Sequence, residues 1–241
     1  MSTVDVDFES WAMSFSGCDG GDIGSPTTPS IWFCGIEWGG AESQSEHGIR
    51  DTFSNPIVDP PKGYDSPDTN FAYIFNWQAL KLLAAIHGYR VEQYKEFGRM
   101  HLPFVDGSSG FFKLNLFPFA FKDTSPEHWS LDVSSATGFP TKQDYLDWVR
   151  SKRLPILREW ARKYVPKLIV CVGSTYSEDF RQSFGDQIDF STETIEGKVL
   201  QWTKNISGTV VAIVPFMVNR NGLTRNVAIQ AFGDRIRNLL A

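Results

Sequence analysis

The sequence predicts an α/β protein, a three-layer α/β/α sandwich around a central four-stranded parallel sheet. Two observations lead there. Four short apolar runs, Ile31 to Ile36, Phe111 to Leu116, Leu168 to Val172 and Val210 to Val214, each give way to polar, glycine or proline residues. Near-continuous runs of this length suit strands covered on both faces, where a half-solvated strand would alternate. Helical stretches also separate the runs, as parallel strands joined by crossovers require. Ligands of such sheets bind at the carboxyl ends of the strands, so chemistry is expected at the four strand ends.

Taken in order, residues 1–30 read as loop-rich, with Ser14 to Ser30 (SFSGCDGGDIGSPTTPS) a loop entering the first strand. Ser43 to Asn70, with Pro56, Pro60, Pro61 and Pro67, has little periodicity and is expected to be a long loop and candidate lid. Phe71 to Tyr89 reads as a helix with Phe71, Ile74, Phe75, Gln78, Leu82 and Ile86 near one face, followed by a short helix over Val91 to Met100. Pro118 to Pro140 reads as irregular. Thr141 with Asp144 signals a helix start, and Pro155 is expected to divide the helical stretch into Lys142 to Arg153 and Pro155 to Tyr164. Tyr176 to Phe184 suits a short helix, and Thr192 to Thr203 a hairpin turning at Glu196-Gly197. Asn221-Gly222 marks a turn after the last strand, and Thr224 is expected to cap a final helix ending near Leu240.

With 241 residues, 41% of them apolar, the chain can bury one substantial core, and a single domain over 1–241 is expected. No stretch reaches the roughly 18 unbroken apolar residues of a membrane span, and the acidic start MSTVDVDFES is unlike a signal peptide, so no membrane partner and a cytoplasmic home are expected. Cys34 and Cys171 fall inside strand runs, which suits buried thiols, whereas Cys18 is expected in a loop. No spacing makes a metal site, and no cofactor is expected. The net charge is −5, but unevenly spread: residues 1–140 hold 8 Lys+Arg against 18 Asp+Glu (−10) and residues 141–241 hold 15 against 10 (+5). A basic face in the second half suits either a nucleic acid or plain solvation.

The order of motifs at the strand ends resembles the uracil-DNA glycosylase superfamily from Ile31 onward. GIEWGGAE (Gly35 to Glu42) is similar to the loop after that family's first strand, and KLNLFPF sets Asn115 where the family reads a uracil edge. LREWARKYVPKLIVCVGST (Leu157 to Thr175) is the most family-like stretch, and VPFMVNRNGLTRN (Val214 to Asn226) is similar to the last motif. The resemblance implies a DNA glycosylase hydrolysing the N-glycosidic bond of a flipped-out, deaminated base, with DNA as partner. The alternative is a non-catalytic member of the fold binding nucleic acid or a protein, and a hydrolase of free nucleosides is a third reading. Two departures stand out. Val214 to Arg225 lacks the family's histidine, with His47, His87, His101 and His128 all elsewhere, and Trp38 enlarges the first motif. Three cysteines also argue against the iron–sulfur cluster of some members.

Each candidate residue has a physical reason. Gly35 and Gly39 allow close backbone approach, and Glu37 offers a carboxylate to orient water or support an electron-poor sugar. The Asn115 amide suits a base edge, and Trp38 and Phe71 offer stacking faces. Gly173 and Ser174, at the third strand end, are further substrate-binding candidates. Asn219 or Arg220 would stand in for the missing histidine by stabilising the departing base, and Arg225 at the start of the last helix would hold phosphate. The plain structural alternatives are a solvated Glu37, an Asn115 bonded to backbone, aromatic rings in the core and solvated arginines.

Overall fold

A computed structural model describes residues 4–39, 45–121 and 124–241. The four apolar runs form strands β2 (Ile31–Gly35), β3 (Phe111–Asn115), β4 (Leu168–Val172) and β7 (Val210–Val214), every residue of which is buried. They pair in parallel in the order β3-β2-β4-β7, with Gly35 opposite Asn115 and Val172 opposite Val214. The sheet is larger than four strands and is mixed. Strand β1 (Cys18–Gly21) adds antiparallel to β3, while β6 (Lys198–Lys204) adds antiparallel to β7 and carries β5 (Ser191–Ile195) at the far edge. The expected hairpin is present and joins the main sheet, turning through Glu196 and Gly197 with φ of 50° and 73°, as two-residue hairpin turns require.

Alternation along the four parallel strands divides the core in two. Trp32, Cys34, Phe112, Leu114, Ile169, Cys171, Val211 and Ile213 face one side, where they meet α1 (Val6–Ala12), α2 (Glu46–Phe53), α6 (Leu131–Thr137), α7 (Lys142–Tyr164) and α8 (Ser177–Phe184). Ile31, Phe33, Phe111, Leu168, Val170 and Val214 face the other, against α4 (Ile74–Ile86), α5 (Tyr94–His101) and α9 (Asn226–Leu240). Burial on both faces is why these runs read as continuous. No helix among the described residues is long and apolar enough to cross a membrane.

Several expectations need correction. The N-terminal segment is not all loop: Asp5 accepts from the amides of Asp7 and Phe8 to start α1, which buries Phe8, Trp11 and Ala12. Cys18 opens a strand instead of lying in a loop, and burial pushes its thiol up to about 12. The stretch expected to be a lid over 43–70 contains α2, with Ile49 and Phe53 in the core, and α3 (Pro67–Ala72). Its remainder is pinned by the bridge between Gly20 and Lys62 and by Tyr64 N–H donating to Phe104 O (2.8 Å), so it forms part of the wall. Ser43 and Gln44 lie outside the described residues. The helix expected over 71–89 breaks at extended Tyr73 into α3 and α4, and Ile74 is solvent-exposed. The irregular stretch after Pro118 contains α6.

Pro155 does not divide α7, which runs unbroken from Lys142 behind the expected Thr141–Asp144 cap. Pro155 sits on the solvent side, where water can serve the carbonyl it frees, while Leu154, Leu157 and Ala161 are buried and hold both halves to the sheet. The last helix starts after Arg225 with no side-chain cap, so Thr224 is not its N-cap.

Candidate functional site at the carboxyl rim of the sheet

The strand ends do share one rim. Leu116 N–H donates to Gly35 O (3.1 Å), Phe117 N–H to Ile36 O (2.9 Å) and Gly173 N–H to Val214 O (2.9 Å), so the loops after all four parallel strands emerge side by side. Connections leave β2 and β4 in opposite directions, the arrangement that opens a crevice at the ends of parallel strands. Gly173, at φ 126°, needs glycine's freedom, and a side chain there would run into Ile36.

The side chains on this rim diverge to two faces. Asn115 is buried, shares the face of Phe111, and donates from Nδ2 to Gly17 O (3.0 Å). A Cβ on Gly35 would collide with Asn115 Oδ1, and it would lie 3.9 Å from the Phe75 ring. The bare strand end is therefore filled by the amide, with Phe75 beside it and the Phe216 ring a further 6.1 Å away centroid to centroid. Glu37 turns to the opposite face. Its Oε1 meets Lys142 Nζ at 3.2 Å, with the two side chains 3% and 2% exposed, and Lys142 sits 4.0 Å above the Phe121 ring. Glu37 and Asn115 thus occupy one rim without converging, and Glu37 is not the solvated loop carboxylate of the plain alternative.

Trp38 swings back toward the Asn115 face, where its Nε1–H donates to Asp19 Oδ2 (3.0 Å). Gly39 is exposed, and Gly40 to Glu42 of the expected motif lie outside the described residues. Phe71 does not reach the rim. Its ring packs on Gly98 and lies 5.6 Å from the Arg99 guanidinium, so the aromatic side chain at the site is Phe75, four residues later. Ser174 opens a short 3₁₀ turn and is exposed, as are Asn219 and Arg220 in the last loop. That loop closes on itself through Leu223 N–H to Phe216 O (2.8 Å) and Gly222 N–H to Asn219 O (2.9 Å). Arg225 is turned to the β5–β6 hairpin, donating to Glu196 O at 2.9 Å.

The sequence reading missed a charged cluster on the Asn115 face. Lys113, two residues before Asn115, is buried and donates to Asn76 Oδ1 (2.9 Å) and Tyr64 Oη (2.9 Å) while pairing with Asp19 Oδ1 at 3.2 Å. Tyr64 O–H in turn donates to Asp19 Oδ1 (2.7 Å). Burial holds the Lys113 ammonium below its usual range against the pull of Asp19, and burial followed by the Asp19 charge pushes the Tyr64 phenol up. The signal was available: a lysine in the middle of FFKLN, a run covered on both faces, requires a buried partner. Among the described residues no group of three or more His, Cys, Asp or Glu side chains gathers to hold a metal.

What the fold and rim define is a mixed α/β protein with an amide, a bare glycine strand end and aromatic rings at the carboxyl edge of its parallel strands. No protein-family model matches the chain, and no curated protein matches it at a significant level.

Proposed function

We propose that the chain is a DNA glycosylase of the uracil-DNA glycosylase type, a three-layer α/β/α sandwich around four parallel strands that takes a flipped-out base at their carboxyl rim. The observation that carries this reading is the register match of Gly35 with Asn115, with the Phe75 ring beside them and Phe216 next to it. An amide at a bare strand end with aromatic rings beside it suits the edge and face of a nucleobase. In the reaction, water adds to the sugar carbon as the N-glycosidic bond breaks, its electron pair leaving with the base, and the proton that the water sheds ends on the base nitrogen. Asn219 and Arg220, exposed on the last loop, supply donors to the departing base, while Glu37, turned to the other face beside Lys142, makes no contact with the sugar.

A second reading has its own support. Glu37 is nearly enclosed in an ion pair, and the last loop carries no histidine, so the fold is suited to hold a base without cutting. Incubation with strands containing uracil, hypoxanthine or xanthine, followed by alkaline cleavage, separates the two. Glycosylase action gives abasic sites that Asn115→Ala abolishes. Binding without abasic sites, lost on joint Arg220→Ala and Arg225→Ala substitution, leaves the non-catalytic reading. Neither binding nor cleavage removes both.

A further inference from the structure

We infer that the Asp19–Lys113 pair, its side chains 11% and 8% exposed, is the positioning element that sets two aromatic side chains of the rim, Trp38 and Phe75. The inference rests on the reading of this rim as a base pocket. Asp19 divides its carboxylate: Oδ2 accepts the Trp38 indole N–H (3.0 Å), while Oδ1 accepts the Tyr64 hydroxyl (2.7 Å) and faces Lys113 Nζ (3.2 Å). Lys113 passes the constraint to α4 through Asn76 Oδ1 (2.9 Å), and Asn76 Nδ2 donates to Tyr64 Oη (3.2 Å). Asn76 follows Phe75 directly, in the first turn of a helix whose N-cap, Tyr73, makes no side-chain cap bond. The Lys113 ammonium also lies 5.4 Å from the centroid of the Phe75 ring.

One ion pair therefore ties the loop after β2 to the start of α4 through β1 and β3. Each member has partners within the cluster, with Tyr64 Oη donating once and accepting twice. Burying such a pair is costly, and a matched apolar or neutral replacement is often no less stable. Its contribution is geometric: an indole with a fixed N–H direction and a phenyl ring with a fixed helix behind it.

The test uses the full chain labelled with 5-fluorotryptophan, the Trp38 fluorine resonance being identified by its loss in Trp38→Phe. Asp19→Asn is expected to move the Trp38 resonance more than that of any other tryptophan. The neutral pair Asp19→Asn/Lys113→Met, which leaves no buried charge unpaired, is expected to do the same with the fold retained. Affinity for a single strand carrying one uracil should fall about tenfold in both, the scale of losing one base–aromatic stack. Asp179→Asn breaks a separate ion pair with Arg150 (2.7 Å) on the other face of the sheet, and it should change neither readout. An unmoved Trp38 resonance in the neutral pair overturns the inference whatever the strand does. So does a moved resonance with unchanged affinity. If the wild-type chain does not bind the strand while Trp38 moves as expected, the positioning stands and the base-pocket reading fails.

Discussion

Arg153 offers the sharpest test of how the rim is braced from behind. It is fully buried in α7, and main-chain carbonyls meet its guanidinium: Nε donates to Leu116 O (3.1 Å), Nη1 to Ala12 O and Ser14 O (3.0 Å), and Nη2 to Ser16 O. Three of these acceptors lead up to Gly17, whose own carbonyl holds Asn115, and the fourth, Leu116, follows Asn115 directly. Arg153→Met keeps the apolar stem and abandons all four acceptors. At about 1–3 kcal/mol for each buried group left without a partner, and with some regaining water, the loss should be about 4 kcal/mol. An unfolding entropy of about 2.1 cal/mol/K per residue gives about 0.5 kcal/mol/K for a chain this long, hence a Tm lower by about 8 °C. Thermal unfolding reads the first effect, and hydrogen exchange at Gly17 to Gly21 reads the second, since β1 should lose protection before the central strands do. A Tm within about 2 °C of wild type would refute the reasoning, because it would mean that the carbonyls find other donors at no cost.

Two further predictions concern stability. Pro155→Ala restores an N–H toward Ser151 O on the solvent face of α7 and should stabilise by about 1–2 kcal/mol after the gain in unfolded-chain entropy is subtracted, read as a higher urea midpoint at unchanged slope. No gain would mean that water already satisfies the Ser151 carbonyl at no cost. His87 gives a pH dependence: burial lowers its pKa below the ordinary 6.5, with Lys167 and His101 adding to the effect and the contact with Leu83 O opposing it. The unfolded chain takes up this proton first, so the His87 contribution is complete above pH 6.5 and is lost as pH falls through that value toward the folded pKa. His87→Gln should flatten that part of the profile, as seen by comparing Tm at about pH 7.5 and about pH 5.5. An equal slope in both proteins would exclude His87 as its source.

The parts of the fold legible from sequence are those whose signal is local. The four parallel strands announce themselves because both faces are covered, and the Glu196-Gly197 hairpin because its turn needs positive φ at two positions. Strand β1 was hidden because CDGG has no strand character of its own. Gly20 is glycine because the Pro61 to Gly63 backbone passes directly over it, a contact set by a distant part of the chain. The first helix was hidden for another reason: an acidic stretch with only Phe8, Trp11 and Ala12 as its buried stripe is too short to carry periodicity. At the site, Asn115 and Gly35 were legible as strand ends, whereas the choice between Phe71 and Phe75 turned on the helix break at Tyr73. The opposite headings of Glu37 and Trp38 depend on Lys142 and Asp19, partners that arrive from distant segments.

The antiparallel strands at either end of the sheet bear on how the molecule behaves in company. A parallel core that stopped at β3 and β7 would offer two rows of unsatisfied amides and carbonyls to any passing chain. Here one margin is capped by a four-residue, glycine-containing strand whose pairing slips between Cys18 and Gly20, and the other by the polar Ser191 to Thr194, which no apolar strand would match. Both are poor templates for a foreign strand, so concentrated solutions should resist sheet-to-sheet polymerisation.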